Sequence, residues 1–332
     1  LKVFVCEFIS CGGLYRAPLP DGLLKEGVMM RDTLLRELAV QDGLELLTAH
    51  DSRLPAPQYA QSIPVSPEAD VWQIWQSRID EADAAWVVAP ESEGLLYRLT
   101  SMVESRGKVL LGCPSAAVEL AGSKLATYRT LTAAGIPCVP SWRGDVWLQQ
   151  PEAGIWVVKP DDGVSCEGCR CFSDIETLRQ WLEGRECSYI IQPWRDGIAA
   201  SLSMLCRDGH AWLLSCNRQV VRRDGNGFRF EGCEVNGLKR HWDMFARLAA
   251  GVSAAIPALN GYVGVDLMLT EGDDEVRLEV LEVNPRLTTS YAGLGRVTGI
   301  NVSAQVMALV QAQNPSAFRL PPLSGDIVEV TL

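Results

Sequence analysis

The stretch LEVLEVNPRLTTSYAGL, Leu278 to Leu294, alternates apolar and polar side chains like a strand and ends in Glu282, Asn284 and Arg286, followed by the hydroxyls of Thr288, Thr289 and Ser290. Alternation with period two sets the acid, the amide and the guanidinium on one side and Val283 on the other. Such a trio either faces a shared ligand or lines a solvated sheet face. A second acid, Asp266 in GYVGVDLMLT, falls at the matching place on the neighbouring strand if the two pair as a hairpin through EGDDE, and Asn284 is then close to both. Two carboxylates and an amide oxygen are hard ligands of the kind magnesium takes, with phosphate oxygens completing its coordination.

A phosphate site is also readable upstream. IWVVKPDDGVSCEGCRCF is an apolar strand ending in Lys159, a turn, a loop holding Gly163, Ser165 and Gly168, and a second strand. Small residues there let main-chain N–H groups wrap phosphate oxygens, and a strand-end lysine adds a point charge. The loop is not a P-loop, because the Gly-Lys-Ser/Thr ending is missing. The same loop's CEGCRC, with Cys166, Cys169 and Cys171, suggests zinc but lacks a convincing fourth ligand nearby.

These residues need a scaffold. KVFVCEF, LELLTAH, AAWVVAP and KVLLG read as short buried strands, with LLKEGVMMRDTLLRELA and GLLYRLTSMVES as helices between them, which predicts a parallel sheet covered by helices over residues 1–113. Ligands of such sheets bind at the carboxyl ends of strands, where ISCGGLYR and APESEG fall; the pair Gly12 and Gly13 is either a close-approach backbone or a turn. Residues 114–191 open with a helix carrying Lys124 that stops at Gly135 before Pro137. Residues 192–332 hold YIIQPW's end, AASLSMLC, AWLLSCNRQVV and GYVGVDLMLT, mostly antiparallel strands, with one helix from about His241 to Ala255.

Composition sets the bounds. The 332 residues are 47% hydrophobic and 21% charged, ordinary for a folded soluble chain, and a net charge of -11 argues against a nucleic-acid partner. Eleven cysteines without a paired framework fit a reducing compartment, and no apolar run is long enough to span a membrane, so the expected location is the cytoplasm.

The ordered set of Lys124, Lys159 with its small-residue loop, IIQPW, Asp266 and LEVNPR resembles the ATP-grasp carboxylate–amine ligases over nearly the whole chain. The resemblance implies an α/β and α+β protein, with an N-terminal parallel pre-ATP-grasp domain and two α+β subdomains gripping ATP. It implies that Lys124 and Lys159 contact phosphates, that the loop from Gly163 through Ser165 and Cys166 to Gly168 closes over them, and that Asp266, Glu282 and Asn284 hold Mg2+. Arg286 then faces the transferred phosphate, where a planar guanidinium suits the charge. In the hinge, Gln192 replaces the usual Glu, and the adenine is expected at the carbonyl of Pro193 and the N–H of Arg195, beside Trp194. Ala199 stands where many relatives have an acid for the ribose, with Asp196 as the compensating group. Arg218 in SCNRQ points either toward the phosphates or into a surface salt bridge.

FISCGGL, VVAPESEGLLYRL, KPDDGVSCEG, DGIAASLSML and EVNPRLTTSYAGL resemble, more narrowly, a branch that joins glutamate to the amine of tyramine in making methanofuran-type cofactors. That implies small-molecule partners, glutamate and an aromatic amine, and leaves room for a homodimer. Glutamate is expected near Arg286, Thr288, Thr289 and Ser290, and the amine near Gly12, Gly13 and Tyr15. A helix cap for the hydroxyls and a core contact for Tyr15 are the competing readings. Ligation of another amino acid, as in pyrrolysine synthesis or D-alanine ligation, and ATP sensing without turnover are the other functions such a chain can have.

Overall fold

Apolar runs at the start of the chain become strands buried on both faces. The computed structural model describes residues 1–332 apart from Asp273 and Asp274, which fall in the expected EGDDE turn. Strands β1 (Lys2–Glu7), β2 (Glu45–Asp51), β3 (Gln61–Val65), β4 (Ala84–Val88) and β5 (Val109–Leu110) form a parallel sheet in the order β3-β2-β1-β4-β5. Helices α1 (Asp21–Ala39), α2 (Val71–Glu81) and α3 (Leu95–Ser105) make its crossovers. Both β3 and α2 lie beyond the elements expected from the pattern. Pro64 interrupts the strand pattern of β3, which is tolerated because β3 is an edge. The strand order reverses between β1 and β4, so a crevice opens outside their carboxyl ends.

The helix expected to carry Lys124 through to Gly135 is two helices, α4 (Ser115–Gly122) and α5 (Lys124–Ala133). Ser123 between them is extended, and its Oγ accepts from the Ala126 N–H at 3.0 Å, so Lys124 starts a new helix behind a serine cap. Strand β6 (Trp142–Arg143), helix α6 (Gly144–Trp147), strands β7 (Trp156–Pro160) and β8 (Arg170–Phe172), helix α7 (Ile175–Leu182) and strand β9 (Tyr189–Pro193) follow. Their strands form an antiparallel sheet in the order β6-β9-β7-β8, over a small core of Trp147, Trp156, Val158, Phe172, Leu178, Leu182 and Ile191. Gln192 and Pro193 therefore sit in this second sheet.

The third sheet is built from β10 (Ile198–Arg207), β11 (His210–Asp224), β12 (Gly227–Val235), β13 (Gly261–Glu271), β14 (Val276–Asn284) and β15 (Val328–Thr331), in the order β14-β13-β10-β11-β12-β15. All its pairings are antiparallel among the described residues. Helix α8 (Trp242–Ala255) covers one face, its Phe245 and Val252 in one core with Ala200, Leu202 and Met204. Helices α9 (Tyr291–Thr298) and α10 (Val302–Gln311) share a core with Leu34, Leu35 and Leu38 of α1. Among the described residues no helix is long and apolar enough to cross a membrane.

Strand β14 changes face partway. Leu267 pairs with Val280 but Asp266 with Glu282, leaving Leu281 as the extra residue of a β-bulge. Leu278, Val280 and Val283 join the core with α8, while Glu282 and Asn284 line a cavity on the other side. Uninterrupted alternation puts Leu278 and Val280 on the same side as Glu282; the bulge separates the apolar half of the strand from its polar end.

Candidate active site

Asp266 and Glu282 stand opposite each other on β13 and β14, and Asn284 stands two pairs further on, opposite Gly264. The Asn284 amide donates to Asp266 Oδ2 at 3.3 Å, and Gln219 of β11 donates to Oδ1 at 2.8 Å. A Cβ at Gly264 would come within 2.6 Å of Thr288, so glycine there lets the segment after β14 fold close over the acids. Burial and the Glu282 charge push Asp266 well up from the ordinary carboxylate range. Burial pushes Glu282 up as well, but the ammonium groups of Lys124 and Lys159 more than offset it.

Lys124 Nζ lies 3.1 Å from Glu282 Oε2 and donates to the Gly163 carbonyl at 2.6 Å. Asp161 ties the start of the loop to α5, accepting from the Leu125 N–H at 2.8 Å and from Ser123 Oγ at 2.7 Å. Asp162 ties it to the first sheet's side, accepting from the Glu93 N–H at 2.9 Å. Ser165 and Cys166 then take left-handed backbone conformations, φ 51° and 61°, which non-glycine residues seldom adopt and which concentrate at functional loops. Both line the cavity. Burial pushes the Cys166 thiol up to about 12, away from the thiolate form a nucleophile needs. Among the described residues no group of three or more His, Cys, Asp or Glu is disposed to hold a metal. Asp266 and Glu282 are two, and they need an amide and ligand oxygens to complete a shell.

Arg286 is buried. Its Nε and one terminal nitrogen donate to Glu91 Oε2 at 3.1 and 3.0 Å, and its other terminal nitrogen to the Leu287 carbonyl at 3.1 Å. Glu91 comes from the loop after β4, at the crevice where the strand order reverses. Glu26 of α1 enters from the same side and accepts hydroxyls from Ser165 at 3.2 Å and from Thr289. Thr288 and Ser290 bond each other at 3.0 Å and reach the Tyr262 hydroxyl at 2.8 and 3.2 Å. Ser290 precedes α9 without capping it through its side chain. A cavity of about 100 Å³ is lined by Asp266, Glu282, Asn284, Arg286, the three hydroxyl residues, Ser165, Cys166, Glu26 and Gln219.

Several expected residues lie elsewhere. Arg218 is exposed and faces away from the cavity, since Gln219 reaches Asp266 and side chains alternate along β11. The phosphate-facing reading of Arg218 is thereby corrected, and the polar contact in its place is Gln219. Gly12 and Gly13 serve internal packing: a Cβ at Gly12, whose φ is 94°, would meet Val65 at 2.7 Å, and one at Gly13 would meet the Phe8 ring at 2.5 Å. Tyr15 carries the Arg16 guanidinium over its ring at 4.7 Å and packs on the first core. These three residues are outside the cavity's lining. What α1 sends to the cavity is Glu26, and Glu91, from the loop after β4, stands behind Arg286.

Lys159 and the hinge also lie outside that lining. Gln192 is buried and donates to Ser141 Oγ at 2.8 Å. The Trp194 N–H donates to the Ile155 carbonyl at 2.8 Å, and its indole donates to Asp196 at 2.8 Å. Arg195 pairs with Glu279 of β14 at 3.0 Å. Glu26 and Gln219 were missed because nothing in the local pattern of α1 or of β11 marks them, and Glu91 because APESEG was placed at a strand end without any one of its residues being singled out; only the tertiary fold brings the three to β14.

A model of the ATP-grasp domain matches residues 121–290, and one of the pre ATP-grasp 3 domain matches residues 44–118. Tyramine–L-glutamate ligase of Methanocaldococcus jannaschii is 31% identical over 82% of this chain and 79% of its own length. That of Methanocaldococcus fervens is 29% identical over 82% and 84%. The crystal structure of an ATP-grasp superfamily protein from Archaeoglobus fulgidus superposes with a TM-score of 0.70 at 21% identity, covering 100% of this chain and 99% of the other.

Proposed function

The chain belongs to the ATP-grasp family and is an ATP-dependent carboxylate–amine ligase, and from that premise we propose that it joins glutamate to the amine of tyramine, or of tyrosine as a close variant. The observation that carries this reading is the convergence of Asp266, Glu282, Asn284, Arg286 and the Thr288–Ser290 hydroxyls on one cavity. The paired acids fit a divalent cation: half-buried carboxylates facing each other on adjacent strands repel, and a cation between them removes that cost. Asp266, Glu282 and Asn284 would hold the magnesium. When bound, it neutralises triphosphate charge and polarises the γ-phosphoryl group.

The remaining work belongs to the chain. The glutamate γ-carboxylate, held by Arg286 and the hydroxyls, attacks the γ-phosphorus of ATP, giving ADP and an acyl phosphate. The amine then attacks the acyl carbon, phosphate leaves, and the nitrogen releases its proton as the amide forms. Lys159 and the main chain of the Gly163–Gly168 loop carry the phosphates, and Lys124 bridges that loop to Glu282. Adenine lies at the Pro193–Arg195 hinge. Catalysis is mostly positioning and charge neutralisation. The eleven free cysteines support the cytoplasm as its compartment.

The test is ADP release and product mass with Mg-ATP and glutamate plus tyramine, glutamate plus tyrosine, or either partner alone. A glutamyl-amine that requires both partners is expected. ADP formed only with another acid and amine would sink the substrate reading and leave the ligase.

A further inference from the structure

Next to the reaction cavity lies a second one of about 480 Å³, between the first turns of α1 and strand β12. The two share a wall, because Glu26, Ser165, Cys166 and Phe230 line both. Glu26 stands at the junction and is only 9% exposed. Its carboxylate receives neutral donors, the hydroxyls of Ser165 and Thr289, and no cation contacts it directly among the described residues. Arg286 faces it across the cavity but is held by Glu91. A buried carboxylate without a cation is costly, and a bound ammonium would offset that cost.

The outer walls are of a different kind. Leu23, Phe228 and the half-buried Phe230 give the cavity an apolar, aromatic lining, while the charged Glu167, Arg229 and Glu231 also border it. One buried acid beside aromatic walls, in a space of this size, matches an arylalkyl ammonium better than an aliphatic diamine or an anion. We propose that the acceptor amine binds in this second cavity, with its ammonium on Glu26 and its ring against Phe230. The proposal rests on the ligase reading and moves the acceptor from Tyr15 to Glu26 and Phe230. It sets the amine at the wall of the cavity that holds Arg286 and the hydroxyls, so that, once the ammonium has passed a proton to Glu26, the free amine and the acyl phosphate meet across that wall.

Calorimetric titration in the presence of Mg-ADP, with tyramine and with para-ethylphenol, which lacks the ammonium, tests the site on the wild type and on Glu26→Gln and Phe230→Ala. Glu26→Gln is expected to weaken tyramine by roughly tenfold or more and to leave para-ethylphenol unchanged. Phe230→Ala is expected to weaken both by about fivefold. In steady state the KM for the amine should rise while those for glutamate and ATP stay within about twofold. Phe230→Ala takes no part in the Ser165 and Thr289 hydrogen bonds, so it carries the test even where Glu26→Gln melts early. Unchanged tyramine affinity in both variants, or a loss that falls on glutamate, overturns the site. Glu26-dependent tyramine binding without any glutamyl amide overturns the ligase substrate and keeps the site. Amide formation indifferent to both variants does the reverse, and a wild type that neither binds nor uses tyramine overturns both.

Discussion

Arg286 and Glu91 meet with 12% and 7% of their side chains exposed, at 3.0 Å, so neither has water to fall back on. Both Arg286 nitrogens on one edge of the fork are committed to a single Glu91 oxygen, which fixes the guanidinium plane. Glu91 is therefore a positioning residue for Arg286. Glu91→Gln is expected to lower kcat/KM about 10–100-fold, the scale of one lost charge-assisted hydrogen bond expressed in the transition state. A rate within twofold of wild type, in a variant with an unchanged melting point, would detach Glu91 from the reaction. Asp266→Asn and Glu282→Gln each remove a negative charge from the proposed magnesium site, and turnover should vanish while the fold stays intact by circular dichroism. Wild-type rates at limiting magnesium in either variant would remove the metal from these residues. Glu282 was legible because hydroxyls, charge and alternation lie within one short stretch, and Asp266 because the hairpin sets it opposite Glu282. Arg218 was misplaced for a related reason: alternation tells which residues share a face, but not which face meets the cavity.

Elements were legible where their apolar period was unbroken. The strands β1, β2 and β4 and the helices α1, α3 and α8 have such patterns, and the hairpin partners of Asp266 and Glu282 followed from them. The break at Ser123 and the bulge at Leu281 were not legible, since each is imposed by tertiary contacts: Asp161 reaching the start of α5, and β14 serving two different faces. The loop of residues 161–171 also takes its form from outside contacts. Lys124, Glu93 and Glu26 hold it from three separate elements, and three of its residues, Ser165, Cys166 and Gly168, keep left-handed conformations. A loop held by a few polar contacts opens at low free energy, and nucleotide adds contacts that close it. Amide exchange over 161–171 should slow when a nonhydrolysable ATP analogue binds, and equal protection in both states would count against a lid. Asp162→Ala cuts the tie to Glu93 and should raise the KM for ATP by about fivefold, the equivalent of one hydrogen bond near 1 kcal/mol.

At the scale of the whole molecule the first and third sheets are one body. Phe4, Leu47 and Val87 of the first sheet and Leu202, Val265 and Val283 of the third fall in a single hydrophobic core. Glu37 of α1 adds polar links, accepting from the Tyr291 hydroxyl at 2.6 Å and from the Ser303 N–H at 3.1 Å. The second sheet has its own small core, built on Trp156, Val158 and Ile191. A core that small is marginal alone, so residues 142–193 should open before the rest. That division suits a grip on a nucleotide, because one unit can move while the acids, Arg286, Glu26 and Glu91 keep their geometry on the other. Calorimetry is then expected to resolve two transitions, the smaller one from the second sheet. Mg-ATP analogue at about 100 times its Kd should raise the smaller transition by stabilising that unit about 2.7 kcal/mol. Glu37→Ala should lower only the larger, by about 1–3 kcal/mol, because the Tyr291 hydroxyl and Ser303 N–H lose a half-buried acceptor. A single transition that both changes shift together would mean the second sheet shares the stability of the whole, and closure would then have to come from the loop of residues 161–171 alone.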